Sequence, residues 1–458
     1  MAPAGAAKAC DMRSRSPGHV PWWNAGVPMA GVVHMPVPRW WLPVLAIVLA
    51  TLAACESADT PPAANADPAP VVDMHTMPSP AGAAQPDLAS MPDGSLLLSW
   101  VEPMGEAGHR LRFSRLAGRE GTWAPPRTIA EGSGWFVNWA DTPHVFALAD
   151  GSLWAHWLRS TGPSRMDYGI DLVRSSDGGT TWNAPTLVPP TAKLGDNGFV
   201  TFWPQGGDRL GMAWLDSRQK TPGDSHAHHD GHGGGAMMLR AALFDAAAVQ
   251  QAEWSLDAST CDCCTTSSAV TDRGTVVVYR GRTPGEIRDT RIVRFDGRAW
   301  TSPRDVHADG WEIAGCPVNG PVVVADGASV WVAWYTEAGG MPELRAAHSP
   351  DAGDTFSAPV TLAKGPQVLG RLGLARGDGH LLVSWLEEAD DAGQRLVLTR
   401  YDATWGDPRR SDVATLVARG RASGIPRLQW AHGAAWLAWT DVADGAPLVR
   451  GARVVFAR

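Results

Sequence analysis

Seven stretches of the chain alternate apolar with polar or small residues at a period of two. They read DGSLLLSWVE, DGSLWAHWLR, GDRLGMAWLD, RGTVVVYRGR, GASVWVAWYTE, DGHLLVSWLEE and GAAWLAWTD. A period of two sends successive side chains to opposite faces of a strand, so each stretch predicts a β-strand and excludes a helical solenoid. Their aromatic markers are Trp100, Trp157, Trp214, Tyr279, Trp334, Trp385 and Trp439, at gaps of 57, 57, 65, 55, 51 and 54 residues. A near-constant period with strand content predicts a β-propeller.

Each unit divides further. A strand such as HVFALAD or PVVVADG precedes the marked one, and a third such as YGIDLVRSSD or TRIVRFDG follows it. An aromatic–Pro turn then leads into a fourth, as in WNAPTLV or FSAPVTL. Four antiparallel strands make one blade. The seventh unit stops after LVRGARVVF without a fourth strand, and APVVDMH near Val71 is placed to supply it from the N-terminal side. Such closure removes the open sheet edges. The expected fold is therefore all-β, a propeller of seven four-stranded blades closed by an N-terminal strand.

Two units share a further mark between their third and fourth strands: SSDGGTTW (Ser175 to Trp182) and SPDAGDTF (Ser349 to Phe356). Both fit S-x-D-x-G-x-T-[WF], which resembles the Asp-box, or bacterial neuraminidase repeat, of the sialidase-like propellers. Asp177 and Asp351 would accept backbone N–H bonds in a tight turn whose glycines permit positive φ. The resemblance covers nearly all of residues 85–458 and implies a structural turn, not a catalytic one. It also implies six blades as the alternative to the seven counted. Sialidase chemistry needs an arginine clamp and a Tyr–Glu nucleophile pair. The Arg-Ile-Pro strand start is missing from QPDLASMPDG, and Tyr168, Tyr279, Tyr335 and Tyr401 all read as strand residues.

Four-stranded blades also sort the loops. Second-to-third loops and the crossovers between blades share the end opposite the Asp-box turns, and most unusual polar stretches fall there. The crossover into blade 4 is STCDCCTTSS, with Cys261, Cys263 and Cys264; the crossover into blade 5 is DGWEIAGCPVNGP, with Cys316 and Asn319. A disulfide from Cys316 to one of the triplet is the first expectation in an oxidising compartment. Copper or zinc bound by the clustered thiolates, or a redox-active pair, are the alternatives. The blade 3 loop DSRQKTPGDSHAHHDGHGGG carries Arg218 and the candidate metal ligands His226, His228, His229 and His232. The blade 4 loop YRGRTPGEIRDT adds Arg280, Arg282, Glu286, Arg288 and Asp289. With Asn319 and Arg218 these are the candidate ligand-binding residues, since arginine forks suit carboxylates. Asp141, Asp216 and Glu312 extend the carboxylates near this face, and no pair of acids can be chosen by spacing.

The N-terminus sets the compartment. Residues 1–55 end in MPVPRWWLPVLAIVLATLAAC, with basic Arg39, an apolar run from Trp40 to Leu52, and small residues before Cys55. The run is shorter than the ~20 residues that span a bilayer and reads as a signal peptide. LAAC resembles a bacterial lipobox, which implies lipidation of Cys55. Residues 1–34 lack signal character and read as an over-extended start. Glu56 in place of Asp implies outer-membrane sorting. Residues 56–84, rich in Ala, Pro and Asp, read as a tether. A net charge of −8 argues against nucleic-acid binding. The sequence thus describes a monomeric, envelope-anchored propeller touching the membrane only through its lipid. Its ligand is a carbohydrate or other anionic small molecule; the alternatives are a sialidase-like glycoside hydrolase and copper or zinc handling.

Overall fold

A computed structural model describes residues 69–116, 118, 121–190, 195–220, 236–389 and 393–456. The signal peptide, Cys55, residues 56–68 of the tether and the four histidines of the blade 3 loop lie outside the described residues.

Strand β1 (Val71–His75) comes first and belongs to the last blade. Blade 1 is β2 (Ala84–Ser90), β3 (Leu96–Pro103), β4 (His109–Leu116) and β5 (Arg127–Gly132). Blade 2 holds β6 (Val145–Ala147), β7 (Leu153–Ser160), β8 (Tyr168–Ser175) and β9 (Thr186–Val188). In blade 3 the strands are β10 (Asn197–Pro204), β11 (Leu210–Asp216), β12 (Met237–Phe244) and β13 (Gln250–Thr260). Blade 4 runs β14 (Ser267–Thr271), β15 (Gly274–Arg280), β16 (Thr290–Phe295) and β17 (Arg304–Asp305). Blade 5 comprises β18 (Val322–Asp326), β19 (Ser329–Thr336), β20 (Glu343–Ser349) and β21 (Val360–Lys364). Blade 6 follows as β22 (Val368–Gly377), β23 (His380–Glu388), β24 (Gln394–Tyr401) and β25 (Arg409–Leu416). The seventh is β26 (Arg427–Ala431), β27 (Ala434–Ala443), β28 (Ala446–Val455) and then β1.

There are seven blades, not six, and the ring closes as the sequence suggests: Val71 pairs with Val455 and His75 with Gly451, antiparallel. The apolar core is not one body. It divides into seven clusters, each joining two neighbouring blades, because every sheet buries both faces against the next. All seven aromatic markers sit in these layers, none more than 4% exposed. A buried indole N–H needs an acceptor, and three markers find it two residues on, on the same strand face. Trp100 donates to Glu102 at 2.8 Å, Trp214 to Asp216 at 2.9 Å and Trp385 to Glu387 at 2.8 Å. The charge that follows the aromatic in these units is its hydrogen-bond partner.

The two aspartate turns are built alike. Asp177 accepts from the Thr180 and Thr181 amides at 2.9 Å, and Asp351 from the Thr355 amide at 2.8 Å. Ser175 and Ser349 each accept the amide of a glycine at 2.8 Å. Those glycines, Gly179 and Gly353, have φ of +86°. A Cβ on Gly179 would lie 2.3 Å from Phe113, and one on Gly353 2.8 Å from Ile292, so each turn seats against the blade before it. Arg127 reaches the Gly178 carbonyl and Arg294 the Ala352 carbonyl, clamping the same joints.

Candidate functional site

The first strand of each blade lines the central channel, and three of them kink at the crossover end. Register shifts fall between Ala84 and Asp87, Gly198 and Thr201, and Gly370 and Gly373. Gln85, Phe199 and Arg371 adopt positive φ there (57°, 53° and 58°). Such bulges end pairing and re-aim side chains.

Blade 4 begins at this mouth with its cysteines. The Cys261 amide donates to the Arg280 carbonyl at 2.9 Å, and Thr266 Oγ1 donates to the Phe199 carbonyl at 2.7 Å. Between these anchors the triplet folds its sulfurs together. Cys261 Sγ lies 3.4 Å from that of Cys264 and 3.8 Å from that of Cys263, and all three fall within 4.8 Å of one another. Cys261 and Cys264 are buried, Cys263 is half-buried and Cys316 is exposed.

All four are free thiols, which corrects the expected disulfide to Cys316. The nearest sulfurs are 3.4 Å apart against the ~2.05 Å of an S–S bond. Cys316 stays on the surface while the triplet turns inward.

Hydrogen bonds from Cys263 and Cys264 hold the Cys261 thiol well below its ordinary range against the cost of burial, and the Arg288 guanidinium adds to this. Arg288 Nη1 lies 3.3 Å from Cys261 Sγ. Burial and the neighbouring sulfur push Cys263 and Cys264 up. Of the three sulfurs, Cys261 is thus the one whose surroundings favour losing its proton.

The other predicted residues surround this cluster, paired with one another. Arg280, 2% exposed, donates to the Asn319, Arg288 and Tyr335 carbonyls and stacks over Trp311. Arg282 and Arg288 share Glu286, at 2.6 and 2.7 Å. Arg218 pairs with Asp216 and Glu253. Asp289 accepts the Gly310 and Trp311 amides. Asn319 accepts the Arg371 amide and donates to the Leu369 carbonyl, linking blades 5 and 6. Lys220 bridges Asp262, inside the triplet, to Asp196.

Tyr335, read from sequence as a strand residue, donates its hydroxyl to Glu337. It is 5% exposed and edge-on to Trp311. Burial and Glu337 push its phenol up, opposite to what a nucleophile requires.

Sequence reasoning named Asp141 but missed the constellation it joins, inside the channel. A cavity of about 320 Å³ lies between the first strands of blades 1, 2, 3, 4 and 7. Asp87 meets His144 at 3.1 Å and Arg427 at 3.4 Å, and Arg427 donates to Thr142. Asp141 accepts the Phe199 amide at 2.8 Å through one oxygen. Its other oxygen is buried with no hydrogen-bond partner among the described residues. Burial pushes this carboxyl up to about 7. A Cβ at Gly198 would lie 1.9 Å from that oxygen, so only glycine fits beside it. The signal was present in QPDLAS, TPHVF and PRLQW, first strands carrying Asp, His and Arg where an apolar core strand would not.

No protein-family model matches the chain, and no curated protein matches it. Among solved structures it is similar to the phage phi92 endosialidase, at 10% identity and TM-score 0.48, over 85% of this chain and 69% of that one. It is similar to polysaccharide lyase Uly1 at 10% identity and TM-score 0.49, over 83% and 91% of the two chains. For a Penicillium chrysogenum α-L-arabinanase complexed with arabinobiose the values are 12%, 0.43, 85% and 98%. At such identity the likeness is one of fold.

Proposed function

We propose that this chain is an envelope-anchored propeller that binds a soft, thiophilic cation, Cu(I) foremost, at the crossover mouth of its channel. One observation carries the reading: the sulfurs of Cys261, Cys263 and Cys264 converge within 4.8 Å. Three sulfurs bound at ~2.3 Å to one ion stand ~3.8–4.0 Å apart, close to the spacing already present. Thiolates without imidazole or carboxylate select Cu(I), whereas Zn(II) prefers four ligands in a tetrahedron. Three thiolates on a monovalent ion leave net negative charge, and the Arg288 guanidinium beside Cys261 offsets it. The lipobox at Cys55 supports an oxidising location, where neighbouring free thiols persist best when held by a metal. Loss of lipid labelling in Cys55→Ser tests the anchor.

The central test is anaerobic titration of the reduced protein with Cu(I) against bicinchoninate. One equivalent should bind, and Cys264→Ser should weaken binding at least 100-fold. Binding that is absent, or unchanged by Cys261→Ser and Cys264→Ser, ends this reading.

The channel cavity favours a second reading, a neutral polyhydroxylated ligand such as a monosaccharide. Asp87 and Arg427 offset each other's charge, while the second oxygen of Asp141 lacks a partner among the described residues. Melting of the protein in a panel of monosaccharides at high concentration tests it. A stabilising shift abolished by Arg427→Met supports this ligand, and no shift with any sugar rejects it.

A further inference from the structure

Exposure of sulfur is graded across the mouth: Cys316 is exposed, Cys263 half-buried, and Cys261 and Cys264 no more than 2% exposed. The two sulfurs at the deep end cannot be reached directly by a bulky donor. The segment carrying Cys316 is nevertheless fixed against them. Arg280 ties the crossovers into blades 4 and 5 together. It receives the Cys261 amide on its carbonyl and donates through its guanidinium to the Asn319 carbonyl at 2.8 and 3.1 Å. Next to Asn319, a Cβ on Gly320 would lie 2.1 Å from the Thr265 carbonyl oxygen, so the crossover into blade 5 runs in backbone contact with the residue after Cys264. Val318, two residues from Cys316, turns the chain with a φ of +50°. Cys316 lies outside the group of three sulfurs within 4.8 Å of one another, while its segment is held against theirs where Gly320 meets Thr265. Sulfur exposure therefore descends from Cys316 through Cys263 to the buried pair, on two crossovers held in contact.

We propose that Cys316 is the receiving thiol of this site, taking Cu(I) from a soluble thiol or chelate donor and handing it through Cys263 to Cys261 and Cys264. This inference rests on the metal-binding reading. At each step one Cu–S bond forms as one bond to the outgoing ligand breaks. The proton of the incoming thiol passes to the departing ligand or to solvent, and copper stays monovalent, so no oxidant or reductant is required. A resident ligand sets the equilibrium; a receiving thiol sets the rate. The two roles separate experimentally.

The experiment is stopped-flow transfer of Cu(I) from its bicinchoninate complex to the anaerobic full-length protein, followed by loss of the chelate's colour, with equilibrium affinity measured in parallel. In Cys316→Ser the transfer rate should fall at least tenfold while affinity stays within about threefold of wild type. Cys263→Ser should lose both rate and affinity. Near-ultraviolet dichroism and melting of the apo-proteins confirm that each variant is folded; Cys316, being exposed, is expected to tolerate serine. An unchanged rate in Cys316→Ser overturns the inference. A parallel loss of affinity also overturns it, because Cys316 is then a fourth resident ligand. A wild-type protein that takes up no Cu(I) refutes the metal-binding reading itself, an outcome distinct from both.

Discussion

The two ends of the propeller are built on opposite rules. At one end, the aspartate turns of blades 2 and 5 repeat the same bonds with the same glycine conformation, and each docks onto the blade before it. At the other, the crossover into blade 4 has no counterpart among the described residues. It buries sulfur, and the guanidiniums around it are fixed by carbonyls and carboxylates. Repetition marks what every joint needs for stability. The unrepeated loop marks where one joint does something the others do not.

Substitutions should divide along that line. The largest effect expected is on binding: Cys264→Ser lowers Cu(I) affinity at least 100-fold, whereas Gly179→Ala leaves the affinity of the folded protein unchanged. Equal losses in both would erase the distinction between the ends. Next comes stability. Gly179→Ala forces a left-handed alanine against Phe113 and should cost about 2–4 kcal/mol in urea unfolding. A cost under about 0.5 kcal/mol would show that the joint is soft.

Acidity then separates a channel carboxyl from a turn carboxylate. Burial raises Asp141 in the folded state to about 7, above an unfolded value of about 3.9. The folded chain thus holds a proton that the unfolded chain releases, so Asp141 lowers stability progressively as pH climbs from about 4 to about 7. Asp141→Asn should match wild type near pH 4 and exceed it at pH 8, in melting midpoints taken across that range.

Asp351 runs the other way. Slight burial opposes it, but hydrogen bonds from Thr355 and Ser349 hold it down to about 2. Its contribution is complete above the unfolded value and fades as pH falls from about 4 to about 2. Asp351→Ala should show the smallest loss, about 1 kcal/mol at neutral pH, vanishing near pH 2. A loss that persists there would assign the effect to backbone freedom instead of hydrogen bonding.

Blade number and ring closure were legible because period-2 alternation and the buried aromatic recur, and because Val71–His75 is apolar enough to pair with β28. The cysteine triplet was legible as a cluster, yet its chemistry was not. Four cysteines behind a stretch that reads as a signal peptide suggest a disulfide, and the inward turn of Cys261 and Cys264 separates them from Cys316. Some arginine pairings were within reach of sequence, since Asp216 and Arg218, or Glu286 and Arg288, stand two apart along the chain. Arg280 was not, because its partners are carbonyls supplied by blades 4 and 5. The meeting of Asp87 with Arg427 joins the first blade to the seventh, a contact that exists only once the ring is complete.

The closing strand carries a temporal consequence. β1 is the first described strand to be synthesised, and its sheet partner among the described residues, β28, is the last of them. Every intermediate length of nascent chain therefore has an unpaired strand at its leading end, and no partial array of blades can satisfy it. Assembly can stack blade upon blade, but it locks only when the newest residues return to meet the oldest.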